Sequence, residues 1–215
     1  MSETDSRAAN DSSSCGCGCG TPQRSTFVQI EPRTAQSPAR QGAATLNPAP
    51  HTVNLAPFSS FAWVSQHPAM LGFTINRRAG GLKDTARNIE RDGEYVVNIA
   101  REDQLAQVHA SSELMAPDVS EAEAQQLELA PSRIITVPRL AAAPISMECV
   151  HERTISFSPT GGDFVVGRVV GWNIDESVMR DGRIDTELLR PIGRLAGPRY
   201  STLGTVIELP PVPGG

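Results

Sequence analysis

Phe164-Val165-Val166-Gly167-Arg168-Val169-Val170-Gly171-Trp172-Asn173-Ile174 is a long run of β-branched and aromatic residues with two internal glycines. Glycine inside a strand pattern marks a bend or a bulge, which is what a sheet needs in order to curl into a barrel. The turn Pro159-Thr160-Gly161-Gly162 precedes it and joins it to an antiparallel neighbour. In that neighbour Ile145, Met147 and Cys149 alternate with Ser146 and Glu148, the pattern of a half-buried strand.

Other segments extend the same reading. Residues 70–75 read as a short strand buried on both faces, and residues 95–99 as another rich in β-branched residues. Residues 134–137 and 205–209 read as two more strands. Residues 39–46 and 53–55 flank the turn-rich Asn47-Pro48-Ala49-Pro50-His51-Thr52 and are expected to pair as a hairpin. Helices are few. Asp84 is placed to cap one that carries Ala86 and Ile89 on a shared face and stops at Gly93, where a left-handed residue is wanted. Residues 102–110 form a second, with Leu105 and Val108 inward, and Ser120-Glu121-Ala122-Glu123 is a capping box that opens a third. Many short strands with a few connecting helices predict a mainly β fold, a barrel with helical excursions.

The 215 residues suit one domain with loose ends. Residues 1–25 are dominated by Ser, Asp, Asn and Gly and read as a disordered tail. Thr26 to Leu209 is the globular unit, and residues 210–215, rich in proline and glycine, are a second tail. A net charge of −5 with both signs interspersed argues against a nucleic-acid binder. No apolar run reaches membrane-spanning length and no secretory signal opens the chain, so the expected location is the cytoplasm. Cys15, Cys17 and Cys19 alternate with glycine. Their spacing differs from Cys-x-x-Cys zinc sites, so no metal is expected, and Cys149 reads as a small buried hydrophobe. The four histidines are scattered. Gly-x-Ser-x-Gly and a strand-to-helix Gly-x-Gly-x-x-Gly are absent, which disfavours a serine hydrolase and a Rossmann site. Trp63 and Trp172 are expected to pack the barrel.

Two segments carry the chemistry. In Val53-Asn54-Leu55-Ala56-Pro57-Phe58-Ser59-Ser60-Phe61 a strand is expected to end at Pro57, which cannot donate to a sheet ladder. Backbone groups and small hydroxyls then stand beside two phenylalanines, a surface that can hold a planar ring, although composition alone favours a plain strand-to-loop corner in the core. In Gly80-Gly81-Leu82-Lys83-Asp84-Thr85-Ala86-Arg87-Asn88 two glycines lead into a helix start bearing an ammonium and a hydroxyl. Unpaired N–H groups and the helix dipole favour a phosphate there. Asp84 suits a dianion only if its own charge is engaged by capping or by one of Arg77, Arg78 and Arg87.

These segments, with Val64-Ser65, Gly93-Glu94-Tyr95-Val96-Val97-Asn98, Leu127-Glu128-Leu129-Ala130-Pro131-Ser132, Gly167-Arg168-Val169 and Pro191-Ile192-Gly193-Arg194-Leu195-Ala196-Gly197-Pro198-Arg199-Tyr200, resemble in order the flavin reductase-like family. The long insertion before Ile134 is more like its flavoredoxin-like branch. The resemblance implies an FMN-binding split β-barrel, usually a homodimer, whose chemistry is the flavin's while the protein supplies position and electrostatics. It implies that Pro57, Phe58, Ser59 and Ser60 line the flavin ring, that Lys83, Asp84 and Thr85 hold the phosphate, that Ser65 reaches the flavin tail, and that Asn88 is a further contact. Asn54 is either a flavin contact or a satisfied strand-end side chain. The implied reductant is NADH or NADPH, and the implied partner a small acceptor or an oxygenase. The small NADH:flavin reductases carry Gly-Asp-His before the long strand, whereas this chain has Gly161-Gly162-Asp163-Phe164. An FMN carrier or electron-transfer protein with no nicotinamide site of its own is therefore the alternative.

Overall fold

The computed structural model describes residues 27–33, 52–78, 81–113, 115 and 119–210. The expected tail of residues 1–25 with its three cysteines, the expected strand over 39–46 and residues 211–215 lie outside them.

The chain order is β1 (Phe27–Arg33), β2 (Thr52–Phe58), β3 (Phe61–Ser65), β4 (Met70–Asn76), α1 (Asp84–Asp92), β5 (Glu94–Ile99), α2 (Leu105–Ala110), α3 (Glu121–Ala124), β6 (Leu129–Ala130), β7 (Arg139–Leu140), β8 (Ile145–Ser156), β9 (Gly162–Ile174), β10 (Met179–Arg180), β11 (Arg183–Ile184), α4 (Thr186–Leu189), β12 (Gly193–Ala196) and β13 (Arg199–Ser201). Seven strands make one sheet in the order β2-β1-β5-β8-β9-β4-β3, with every neighbouring pair antiparallel.

That order forces closure. The two outermost strands, β2 and β3, are consecutive in the chain and joined only by Ser59-Ser60. A flat sheet of this width would hold its edges about 29 Å apart. Three Cα steps cover at most about 11 Å. The sheet must therefore curl until its edges almost meet, leaving a barrel split between β2 and β3.

Strand β5 shows how the core is divided. Tyr95, Val97 and Ile99 point into the barrel with Leu71, Phe73, Met147, Cys149 and Val165, all buried. Val96 points outward into a second cluster with Val53, Leu55, Val108, Ile135, Val137 and Ile192, under α2 and the chain that precedes β8. The β8–β9 register slips twice, once beside Gly171 and once beside Gly167. The two glycines of the long strand thus flank bulges, and each also makes room for a buried side chain. A Cβ on Gly167 would lie 2.0 Å from the Tyr95 hydroxyl, and one on Gly171 would lie 3.1 Å from the Glu148 carboxyl carbon.

Several expectations are corrected. The strand over 53–55 pairs with β1, opposite Phe27–Arg33. It runs through Pro57 to Phe58, which an edge strand tolerates because, among the described residues, one side of its backbone has no ladder to complete. Residues 134–137 form bends, not a strand, because carboxylates take their N–H groups. Arg133, Ile134 and Ile135 donate to Glu148, and Thr136 donates to Glu94. For the same reason the first half of β8 is buried on both faces: Glu148 is fully buried and Ser146 donates to Asn98 Oδ1 at 2.8 Å. Residues 205–209 have no ladder partner among the described residues and are largely exposed; the last strands described are the β12–β13 hairpin. Trp63 and Trp172 stack on each other, centroids 5.8 Å apart, and remain 42% and 38% exposed at a rim of the barrel. The second helix begins as a 3-10 turn over Glu102–Gln104 and continues as α2, with Val108 buried as expected.

Candidate functional site

Helix α1 starts behind a narrow turn. Arg78 and Gly81 exchange backbone hydrogen bonds of 3.1 and 3.0 Å, and Gly81 has φ +127°, which needs a glycine. Leu82 then packs on the barrel core. Lys83, not Asp84, is the N-cap residue, and its side chain makes no capping bond. Asp84 is the first helical residue and pairs with Arg87, so of the three candidate arginines Arg87 engages it. Arg77 instead forms a two-pronged pair with buried Asp163, at 3.0 and 2.9 Å. Gly93 ends the helix at φ +70°, as the sequence predicts.

The first ladder bond of α1 runs from the Arg87 N–H to the Lys83 carbonyl. The N–H groups of Asp84, Thr85 and Ala86 therefore precede it and have no partner within the helix. Lys83 has no carboxylate partner among the described residues. Burial holds its ammonium below the usual lysine range, and the nearby charges of Arg78 and Arg194 push in the same direction. Arg194 is the residue that sequence reading missed as a site residue: it stands far along the chain, on β12, and nothing local links it to Lys83.

Thr85 and Asn88 lie one turn apart on the buried face of α1. Asn54 Nδ2 donates to Thr85 Oγ1 at 3.4 Å, which joins the two sequence segments in one place. Asn54 is held there by its neighbours. Ser120 Oγ donates to the Val53 carbonyl at 3.1 Å, and Glu121 accepts the Leu55 N–H at 3.1 Å. The N-terminal turn of α3 thus also clamps the outer edge of β2, a second use that the sequence does not announce; of the expected capping box the described residues show only the Ser120 half. Ser120 still caps, accepting from the Glu123 N–H. Asn88 is 5% exposed, and its Nδ2 has no hydrogen-bond partner among the described residues.

The ring segment is less uniform. Pro57 is half-buried, and Ser59 and Ser60 are exposed at the split. The Phe58 ring lies in the core against Phe73, centroids 4.9 Å apart, so at that position only the backbone faces the split. Ser60 Oγ donates to the Thr74 carbonyl and accepts the Thr74 N–H, which pins the corner to β4. Ser65 ends β3 opposite Met70, next to a bulge. The enclosed cavity lined by Leu55, Asn98, Val108, Leu127 and Leu140 has a volume of about 100 Å³. Cofactor pockets are typically some 300–1,000 Å³, so a flavin does not fit there. Among the described residues no group of His, Cys, Asp and Glu side chains can hold a metal. Cys149 is fully buried, which pushes its thiol pKa far up, so it is inert.

Lys83, with the charges of Arg78 and Arg194 acting on it, the first-turn N–H groups that take no bond within the helix, and the buried Asn88 amide suit an acceptor-only anion. The residues fit the phosphate end of a flavin mononucleotide.

A β-barrel split between β2 and β3, with a lysine-bearing helix start tied to β2 by the Asn54–Thr85 bond, defines a class of fold. The chain belongs to that class: residues 34–186 match the flavin reductase like domain. An uncharacterized protein of Halalkalibacterium halodurans is 40% identical over 162 residues, covering 73% of this chain and 78% of the relative. Among solved structures, nitrilotriacetate monooxygenase component B from Bacillus cereus superposes with a TM-score of 0.72 at 32% identity, covering 86% of this chain and 87% of that one. The 2-nitrobenzoate 2-nitroreductase NbaA of Pseudomonas fluorescens gives 0.71 at 26% identity, covering 91% and 88%. No helix of the described residues is long and apolar enough to cross a membrane.

Proposed function

We propose that the chain is a cytoplasmic FMN-binding oxidoreductase that passes electrons from NADH or NADPH, through FMN, to free flavin or another small acceptor, or to a partner oxygenase. The observation that carries this reading is the donor-only cluster at the start of α1: Lys83 with Arg78 and Arg194 beside it, and the unpaired Asn88 amide one turn below Thr85. The similarity to a monooxygenase component and to a nitroreductase supports an electron-donating role.

When bound, FMN supplies the hydride and electron chemistry, and the chain needs no acid–base pair of its own. Lys83, Thr85 and the first N–H groups of α1 hold the phosphate. Asn54 fixes the Thr85 hydroxyl. The Pro57–Ser60 corner, pinned by Ser60 to β4, offers backbone groups to the polar edge of the ring. The protein works as a homodimer.

One observation favours the alternative, an FMN carrier or electron-transfer protein without a nicotinamide site. At the start of β9, in Gly162-Asp163-Phe164, Phe164 stands where the small reductases carry the histidine, and the neighbouring Asp163 carboxylate is buried against Arg77 and Ser156. Anaerobic mixing with FMN and NADH or NADPH separates the two readings. Bleaching of the flavin absorbance band is the expected result. A band that persists with both reductants, in protein that binds FMN, leaves the carrier reading.

A further inference from the structure

Three of the four cysteines are Cys15, Cys17 and Cys19, each followed by a glycine, and the proposed function uses none of them. The fourth, Cys149, is fully buried on β8 and inert, so the sulfur chemistry of this chain belongs to the three. They lie outside the described residues, but the described fold fixes where their segment is tied. Phe27, which opens β1, pairs with Phe58 at the end of β2 and with Ile99 at the end of β5. Phe58 is the last residue before the Ser59-Ser60 corner. The chain that carries the cysteines thus joins the barrel at the split, and paired residues of neighbouring strands stand only about 5 Å apart.

Cys19 is eight residues from Phe27, and Cys15 is twelve. Fully extended, such lengths span at most about 29 and 43 Å. All three thiols are therefore within reach of the corner, and a short tether holds them near it at an effective concentration of roughly millimolar. Each neighbouring pair is separated by one glycine. Sulfurs this close in sequence join only across a sharply bent backbone, which glycine permits and which strains the bond. Strained, exposed disulfides have the more oxidising potentials and are the labile, catalytic kind. In the cytoplasm, the location proposed above, disulfides are of that transient kind.

We propose that Cys15, Cys17 and Cys19 form a dithiol–disulfide couple that takes two electrons from reduced flavin at the Ser59-Ser60 corner, so that the chain carries its own first electron acceptor. This rests on the flavin reading above and names an acceptor class for it. Two of the three sulfurs form the bond. In the step the S–S bond breaks, each sulfur gains one electron and one proton, and reduced FMN gives up those two electrons and two protons to become FMN. The dithiol returns to the disulfide by thiolate attack on a disulfide substrate, through a mixed disulfide, and leaves that substrate as two thiols.

The test uses the full-length protein, oxidised with diamide, freed of the oxidant and mixed anaerobically with photoreduced FMN. Alkylation with iodoacetamide and peptide mass spectrometry count the thiols, and the flavin absorbance band is followed alongside. The wild type is expected to gain two alkylated sites among Cys15, Cys17 and Cys19 while one equivalent of flavin per chain regains its band. The variant Cys15→Ser/Cys17→Ser/Cys19→Ser, changed only outside the described fold, is expected to bind FMN as the wild type does and to leave it reduced. Lys83→Ala, which holds FMN less tightly, is expected to slow the gain of thiols about tenfold at limiting FMN. If FMN binds and the three cysteines stay unalkylated, the couple is overturned and the flavin reading stands. Thiols that appear at a rate set by free and not by bound FMN show attack from solution and also overturn it. Oxidised protein that holds only disulfides between chains, or thiols masked by a metal ion, overturns it as well. A wild type that binds no FMN overturns the couple and the flavin reading together.

Discussion

Lys83 illustrates how a residue's worth depends on what it does not touch. Its side chain makes no capping bond and no ion pair among the described residues, so the fold asks little of its ammonium. Replacing it with alanine removes only a cation that waits for a ligand. We expect Lys83→Ala to keep the melting curve of the wild type while weakening FMN binding by about 1.5–3 kcal/mol, the size of a charge-assisted hydrogen bond. Isothermal titration calorimetry showing unchanged affinity in the folded variant would refute the phosphate assignment. Asn54 and Thr85 are different, because each is buried and bonded to the other. Asn54 was open between ligand and satisfied strand residue, and its bond to Thr85 gives it a partner inside the fold. The sequence marked both segments but could not show that they meet, since the bond spans a sheet edge and a helix start.

Among the elements, the chain before β8 shows tertiary context overriding local pattern. Ile134-Ile135-Thr136-Val137 has strong β propensity, yet no strand lies beside it to complete a ladder. The Glu148 carboxylate, wholly buried on β8, accepts the N–H groups of Arg133, Ile134 and Ile135 at 2.9, 2.8 and 3.3 Å. Gly171 leaves the space that this carboxylate needs. Glu148→Leu would strand three donors, each costing about 1–3 kcal/mol where it stays buried. We expect a loss of more than about 3 kcal/mol in urea unfolding, with residues 131–137 the first to gain protease sensitivity. A variant as stable as the wild type would show that water replaces the carboxylate. Helix α1, by contrast, was legible almost to the residue, because Gly93 and the Ala86/Ile89 stripe are signals carried within one or two turns. Only the identity of its N-cap was misread, with Asp84 and Lys83 exchanged.

For the whole molecule, closure of the sheet decides where chemistry can occur. β2 and β3 meet at the Ser59-Ser60 corner, and the Asn54–Thr85 bond ties β2 to the start of α1. The stacked Trp63–Trp172 pair stays partly open to solvent at the barrel rim, and Val64, Leu195 and Ile207 add exposed apolar surface. A stacked aromatic pair left open to solvent is the kind of apolar surface that a partner subunit covers. We expect light scattering to give about twice the 23.0 kDa chain mass, and dilution to shift tryptophan emission as the rim is exposed. A monomer that still binds FMN would count against the dimer.

The sequence by itself determined the class of fold, the start and stop of α1, the placing of the long glycine-bearing strand and the two segments that build the site. Those features rest on hydrophobic period, backbone stereochemistry and turn chemistry, all of which act between near neighbours. Only the tertiary structure decided that Phe58 faces the core, that Glu148 is buried, that the tryptophans lie at a rim, and that Arg194 comes to stand beside Lys83. Each of these follows from how the sheet closes and which distant polar groups it brings together, and no residue's near neighbours carry that information.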